Sequence, residues 1–276
     1  LPLYWGALGN TKAFEIISHR AVWSLLVCLI ALSFRKEFRS AFKALKNPRT
    51  LALLALTSGL LSANWAIYIW SVTVNRVVEA SLGYYMTPLV VVFFGVFVLK
   101  EKLRITQKLS LGLAAIGVAI LTFAFGQLPL VAFGLALSWG TYSLIKKRLD
   151  AGSLETLSVE MLFALIPSGI YMFYLMSNNQ AQFGTELWFS LILTTAGLVT
   201  IVPLLMFNSA ATTLPLTLLG LLGYINPTIM FLVGFIVFHE PLTFSKIFGF
   251  IFIWGALILL GIDMYRSGRS IDQSKG

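Results

Sequence analysis

The chain has 276 residues, of which 58% are hydrophobic and 11% charged, and its mean hydropathy is +0.87. A water-soluble domain carries about 25% charged residues, so an ordinary globule and a disordered chain are both excluded. The net charge of +9 comes from 20 Lys and Arg against 11 Asp and Glu; in a membrane protein such an excess belongs to cytoplasmic loops and does not imply nucleic acid.

Apolar runs separated by charged or turn-forming breaks predict ten transmembrane helices in an all-α membrane protein. A β-barrel would instead show alternating segments of about ten residues. The first run, 1–9, is too short to span and has no basic leader, so the chain reads as starting inside a first helix that is truncated at its N-terminus. The remaining spans are expected at 15–34, 50–74, 79–99, 107–124, 128–145, 156–176, 187–209, 215–238 and 246–264, followed by a polar tail. Cys28 is the single cysteine, which excludes an intrachain disulfide and a multi-Cys metal site.

Lys and Arg set the expected orientation. Sixteen fall in the breaks at 35–49, 100–108 and 146–155 and in the tail, against Lys12, Arg76 and Lys246 in the alternate breaks, with Arg20 left inside the second span. The rich side is read as cytoplasmic, which puts both termini inside.

The two halves of the chain match at one constant offset. Leu82, Tyr85, Pro88, Gly95, Val98, Glu101 and Leu103 fall on Leu221, Tyr224, Pro227, Gly234, Val237, Glu240 and Leu242. Thr106 falls on Ser245, and both are expected to be N-caps. The expected domains are therefore an N-terminal repeat, 1–124, and a C-terminal repeat, 125–276, of five helices each. An odd number of crossings makes the two copies face opposite ways. Inverted repeats are typical of secondary transporters, whose substrate site lies near the midplane at the repeat interface.

The segment Glu79-Ala80-Ser81-Leu82-Gly83-Tyr84-Tyr85-Met86-Thr87-Pro88-Leu89, with Ser18-His19-Arg20 and Ala63-Asn64-Trp65, resembles the RarD group of EamA-type transporters in the drug/metabolite transporter superfamily. The resemblance runs over essentially the whole chain. It implies ten helices as two inverted five-helix repeats in a bacterial inner membrane. It also implies export or exchange of small metabolites or drugs, and the group's name is linked to chloramphenicol.

Polar groups inside a bilayer are either paired or line a cavity. Glu15, His19 and Trp23 recur at i, i+4 and i+8 on one helix face, with Arg20 about 100° round from His19. Arg20 is a candidate for holding an anionic or polar substrate group, and His19, Glu15 and Glu79 are candidates for proton coupling. Glu15 and Glu79 equally suit plain structural work at helix ends. In the third span Thr57 and Ser71 suit helix–helix hydrogen bonding, while Asn64 and Tyr68 suit a cavity wall. Tyr84, Tyr85, Trp139, Tyr142, Tyr224 and Asn226 are further cavity candidates, as is Trp5. Glu160, near a helix end, reads as structural. Pro88 and Pro227 each remove a backbone donor, and with Gly83 and Gly223 they are candidate gating kinks. Static packing is the competing explanation. Pro167 and Pro203 have no repeat partner and read as ordinary kinks.

The chain has no phosphate loop of the GxxxxGK[ST] type, no HExxH, no serine with triad partners, and only two histidines, His19 and His239. No cofactor, metal or enzyme activity is expected. The expected function is a secondary active transporter, exporter or exchanger, for a small metabolite or an amino-acid-like or amphipathic drug-like compound. Its partners are then that substrate, the lipid bilayer and protons, and it acts as a monomer. A channel-like facilitator or an intramembrane lipid-modifying enzyme are the alternatives.

Overall fold

The computed structural model describes residues 12–74, 76–236 and 243–273. The first expected span, with Trp5, and the pair His239 and Glu240 lie outside the described residues. Regular structure among the described residues is helical throughout: α1 (Ala13–Arg35), α2 (Phe38–Lys46), α3 (Pro48–Thr73), α4 (Val77–Phe93), α5 (Ile105–Phe125), α6 (Leu130–Arg148), α7 (Ser153–Ser177), α8 (Leu187–Thr213), α9 (Leu216–Leu222), α10 (Ile225–Ile236) and α11 (Phe244–Gln273). Eight stretches among them are long and apolar enough to cross a bilayer, α9 and the start of α10 together forming one, Leu216–Val233. α6 has 19 residues, a length of roughly 28 Å at 1.5 Å per residue, close to the thickness of the hydrocarbon core.

Local chemistry sets the boundaries. Asn47 precedes Pro48, and its Oδ1 accepts from the backbone N–H of Arg49 (3.0 Å) and Thr50 (3.3 Å), so an N-cap and a proline at the first helical position start α3 together. Lys36 closes α1 in the left-handed conformation (φ 56°), and Gly126 closes α5 in the same way (φ 74°). Thr106 and Ser245 are not the caps. α5 begins after Arg104, whose N–H donates to Gln107 Oε1 at 3.0 Å, and α11 begins after Thr243. The Thr106 hydroxyl instead donates to Asp263. α4 runs unbroken through Pro88 and ends in a π-helical turn, Phe94–Val98. α7 and α8 likewise run through Pro167 and Pro203.

Helix starts repeat along the chain. Pro48 and Leu187, Val77 and Leu216, and Ile105 and Phe244 stand at the same offset as Pro88 and Pro227, and Ala13 and Ser153 depart from it by a single position. The fold divides into two compact units, and neither is a continuous half of the chain. One joins residues 1–69 with 145–213, and the other joins 70–144 with 214–276. Each unit thus combines a segment with the segment that the offset lays over it. In the first unit α1 packs against α7 and α8, and α2 lies against α7. In the second, α11 packs along α5, and α9 along α4. Small residues allow these approaches: a Cβ on Gly117 of α5 would sit 2.6 Å from the Gly249 carbonyl oxygen of α11. Leu82, Ala114, Val118, Leu121, Ile253 and Ala256 form the core there.

Candidate functional site

In the first unit, the expected stripe on α1 is assembled with partners from three other segments. Glu15 is buried, and its Oε1 accepts from the N–H of Gln182 (2.7 Å) and Phe183 (3.2 Å) in the loop after α7. His19, one turn on, is 2% exposed. Its ring stacks on Phe183, with centroids 4.6 Å apart and planes 29° apart. Trp23 Nε1 donates to His19 Nδ1 at 3.2 Å, so the neutral imidazole carries its proton on Nε2. Arg20 points elsewhere on the turn. Its Nε donates to Thr200 Oγ1 of α8 at 3.1 Å, and its Cζ lies 4.1 Å from the centre of the buried Trp65 ring of α3. Gly197 makes this possible, because a Cβ there would lie 2.5 Å from the Trp23 backbone. α8 therefore presses on α1 at Trp23 and brings Thr200, one turn later, onto Arg20. Asn64 and Tyr68, on α3 with Trp65, are half-buried. A guanidinium held against an indole keeps the planar fork that recognises carboxylates and other acceptors.

A second group in the same unit is a buried ion pair. Lys146 Nζ lies 3.1 Å from Glu160 Oε1, with the two side chains 2% and 0% exposed. Thr57 Oγ1 donates to the same carboxylate oxygen at 2.7 Å, Lys146 donates to Thr156 Oγ1 at 2.5 Å, and Ser58 donates to the Glu160 carbonyl at 2.7 Å. Thr57 therefore makes the interhelical bond expected of it. Lys146, counted by sequence among cytoplasmic loop charges, is an interior residue that sequence reasoning missed.

The second unit places its candidates separately. Pro88 is buried against Gly220 and Gly223: a Cβ on Gly220 would lie 2.9 Å from the Pro88 carbonyl oxygen, and one on Gly223 would lie 3.4 Å from Pro88 Cγ. Between α9 and α10 the helix breaks at Gly223–Tyr224. Pro227 offers no N–H to Gly223, whose carbonyl accepts from Asn226 N at 3.3 Å instead. Gly83 packs on α6, where a Cβ would lie 3.0 Å from Leu135. Tyr224 is fully buried in the core, and its hydroxyl makes no hydrogen bond among the described residues. Tyr85 meets Phe250 edge-on at 5.4 Å, and Trp139 tilts over the buried Tyr142 at 5.5 Å. Tyr84 is half-buried, and Asn226 is exposed.

Two carboxylates close helix ends in this unit. Glu79 Oε1 accepts from Val131 N at the start of α6 (2.7 Å), while its Oε2 lies 3.6 Å from Arg76. Glu101 accepts from Leu216 N and Thr217 N at the start of α9 (2.7 and 2.8 Å). Among the described residues no group of three or more His, Cys, Asp and Glu side chains is placed to hold a metal ion.

A helical membrane protein with repeating helix starts and paired polar groups in its interior is the architecture of a polytopic transporter. The chain belongs to the EamA-like transporter family, whose model matches it twice, over residues 5–123 and 128–262. It is 41% identical to Protein RarD of Streptomyces exfoliatus, over 98% of this chain and 86% of that one. It is 38% identical to an uncharacterized transporter of Vibrio cholerae, over 99% and 91%. A crystal structure of a protein 19% identical in sequence has the same fold, with a TM-score of 0.73 over 95% of this chain and 92% of its own. The protein is thus a RarD-type, multi-pass membrane transporter of the drug/metabolite superfamily and not an enzyme.

Proposed function

We propose that the protein is a secondary active transporter that moves a small metabolite or an amphipathic, drug-like compound across the inner membrane by alternating access, as exporter or exchanger. The two repeats run in opposite directions, both termini are cytoplasmic, and the monomer is the working unit. The observation that carries this reading is Arg20. A cation in the interior of an apolar helix is either paired or faces a cavity, and this one is held by Thr200 and stacked on Trp65, one residue from the His19–Trp23 pair. Such a group suits a substrate with a carboxylate or other acceptor and an apolar body. His19 is the proton-coupling candidate on the same helix turn. Glu15 and Glu79 already accept backbone N–H groups, which suits structural work at helix and loop ends.

A thermal-shift screen of the purified protein against metabolites and drugs tests this, since a ligand at 100 times its Kd stabilises by about 2.7 kcal/mol. Arg20→Gln removes a charged hydrogen bond worth about 1.5–3 kcal/mol and is expected to weaken the selected ligand by roughly ten- to a hundredfold. Unchanged affinity in Arg20→Gln would remove Arg20 from the site.

A further inference from the structure

The loop between α7 and α8 does more than connect them. It is fastened at three points: Lys12 Nζ donates to Gln180 Oε1 at 2.6 Å, the Glu15 carboxylate takes the N–H groups of Gln182 and Phe183, and Ser190 Oγ accepts from Gly184 N at 2.9 Å. Gly184 sits at φ 89°, a conformation glycine adopts without strain. Between these anchors Phe183 lies with its ring flat on His19 and tilted toward Trp23, with centroids 6.2 Å apart. It remains 38% exposed, whereas the imidazole beneath it is 2% exposed. An apolar ring on a surface loop that covers a buried polar ring is a cover more than a core residue. The face it covers, an imidazole beside an indole, is one that would take a flat ring.

We infer that Phe183 is a plug seated where the ring of a transported compound docks, and that Glu15 is the positioning residue that holds the plug in place. The inference rests on the transporter reading and deepens it: the substrate carries an aromatic ring for His19 and Trp23, and an acceptor group for Arg20. The substrate enters by displacing Phe183, so the residue at 183 sets which ring sizes are accepted.

Two measurements on the purified full chain in detergent test this. In the first, Phe183→Ala and the native protein are titrated with indole, with tert-butanol as a non-planar control, and followed by thermal shift. Indole is expected to bind Phe183→Ala saturably and at least tenfold more tightly than the native protein, with tert-butanol showing no such difference. Equal indole affinity in the two proteins would overturn the seat.

In the second, Phe183→Cys is placed on a Cys28→Ala background and labelled with a charged maleimide, with and without Glu15→Ala. Labelling is expected to run at least tenfold faster without the carboxylate, and an unchanged rate would overturn the role of Glu15. Where Glu15→Ala does not purify, Glu15→Leu removes the acceptor at similar volume and gives the same readout. Substrate counterflow by the native protein separates the two readings. Counterflow with equal indole affinities removes the plug alone; indole binding in the emptied seat without counterflow removes the transporter.

Discussion

Lys146 and Glu160 show how the interior treats charge. Each is almost completely removed from solvent, and each is neutralised by the other with threonine hydroxyls filling in. Breaking a buried pair by removing one partner costs about 3–5 kcal/mol, while replacing both with apolar residues of similar volume is near neutral or stabilising. Lys146→Met is therefore expected to destabilise by about that amount, and Lys146→Met with Glu160→Leu to recover most of it, as read by unfolding in mixed detergent. If the double variant is as unstable as the single one, the pair is not what holds these groups. His19 is tested differently. His19→Gln is expected to abolish uptake driven by a pH gradient while leaving exchange intact, and gradient-driven uptake at the native rate would remove it from coupling. The Glu15, His19 and Trp23 stripe is legible in sequence because helical spacing is a local property. The ion pair is not. Lys146 heads a run with Lys147 and Arg148 that looks like a cytoplasmic loop, and its partner lies across a turn on another helix. Phe183 escapes for the same reason, since nothing in its neighbours points to a histidine on α1, far back along the chain.

Among the elements, the long spans start within a few residues of their expected positions, because about twenty apolar residues in a row leave few other folds, while α11 runs on to Gln273, past the expected end at 264. α2 is the exception. Its spacing of Phe38, Ala41, Phe42 and Leu45 is helical, but it lies inside a basic break that reads as loop, and a helix this short is marginal by itself; it lies against α7. The two repeat prolines are equivalent in sequence and differ in structure: α4 continues through Pro88, whereas the helix is interrupted just before Pro227. The residue one turn earlier explains part of the difference, since it is Tyr84 ahead of Pro88 and Gly223 ahead of Pro227. Pro227→Ala is expected to restore a donor to Gly223 and to slow turnover more than it weakens binding. Turnover at the native rate would reduce the break to packing. Gly197→Val drives a side chain into the Trp23 backbone, so a loss of about 1–3 kcal/mol in stability and a weakened Arg20 site are expected together. Native stability and ligand affinity in Gly197→Val would contradict the close approach of α8 to α1.

At the scale of the molecule, the offset that lays Pro88 on Pro227 recurs in the starts of three helix pairs, and the family model matches the chain twice. The repeat was visible in sequence because proline, glycine and glutamate stand out against apolar background. How the chain is grouped was not visible: each unit draws one segment from each half, and hydropathy carries no information about which helices are neighbours. The closures by Glu79 and Glu101 illustrate this, as Glu79 accepts from Val131 N and Glu101 from Leu216 N and Thr217 N, at helix starts far along the chain. Two related segments in every unit would supply the near-equivalent conformations that the proposed alternating access requires. The direct measurement is counterflow. Proteoliposomes loaded with an excess of the unlabelled ligand found in the thermal-shift screen are given a trace of labelled ligand outside. A carrier with a single alternately exposed site drives a transient, saturable accumulation of label that Arg20→Gln abolishes. Uptake that rises linearly with concentration, shows no overshoot and is indifferent to Arg20 would describe an open pathway and contradict the account.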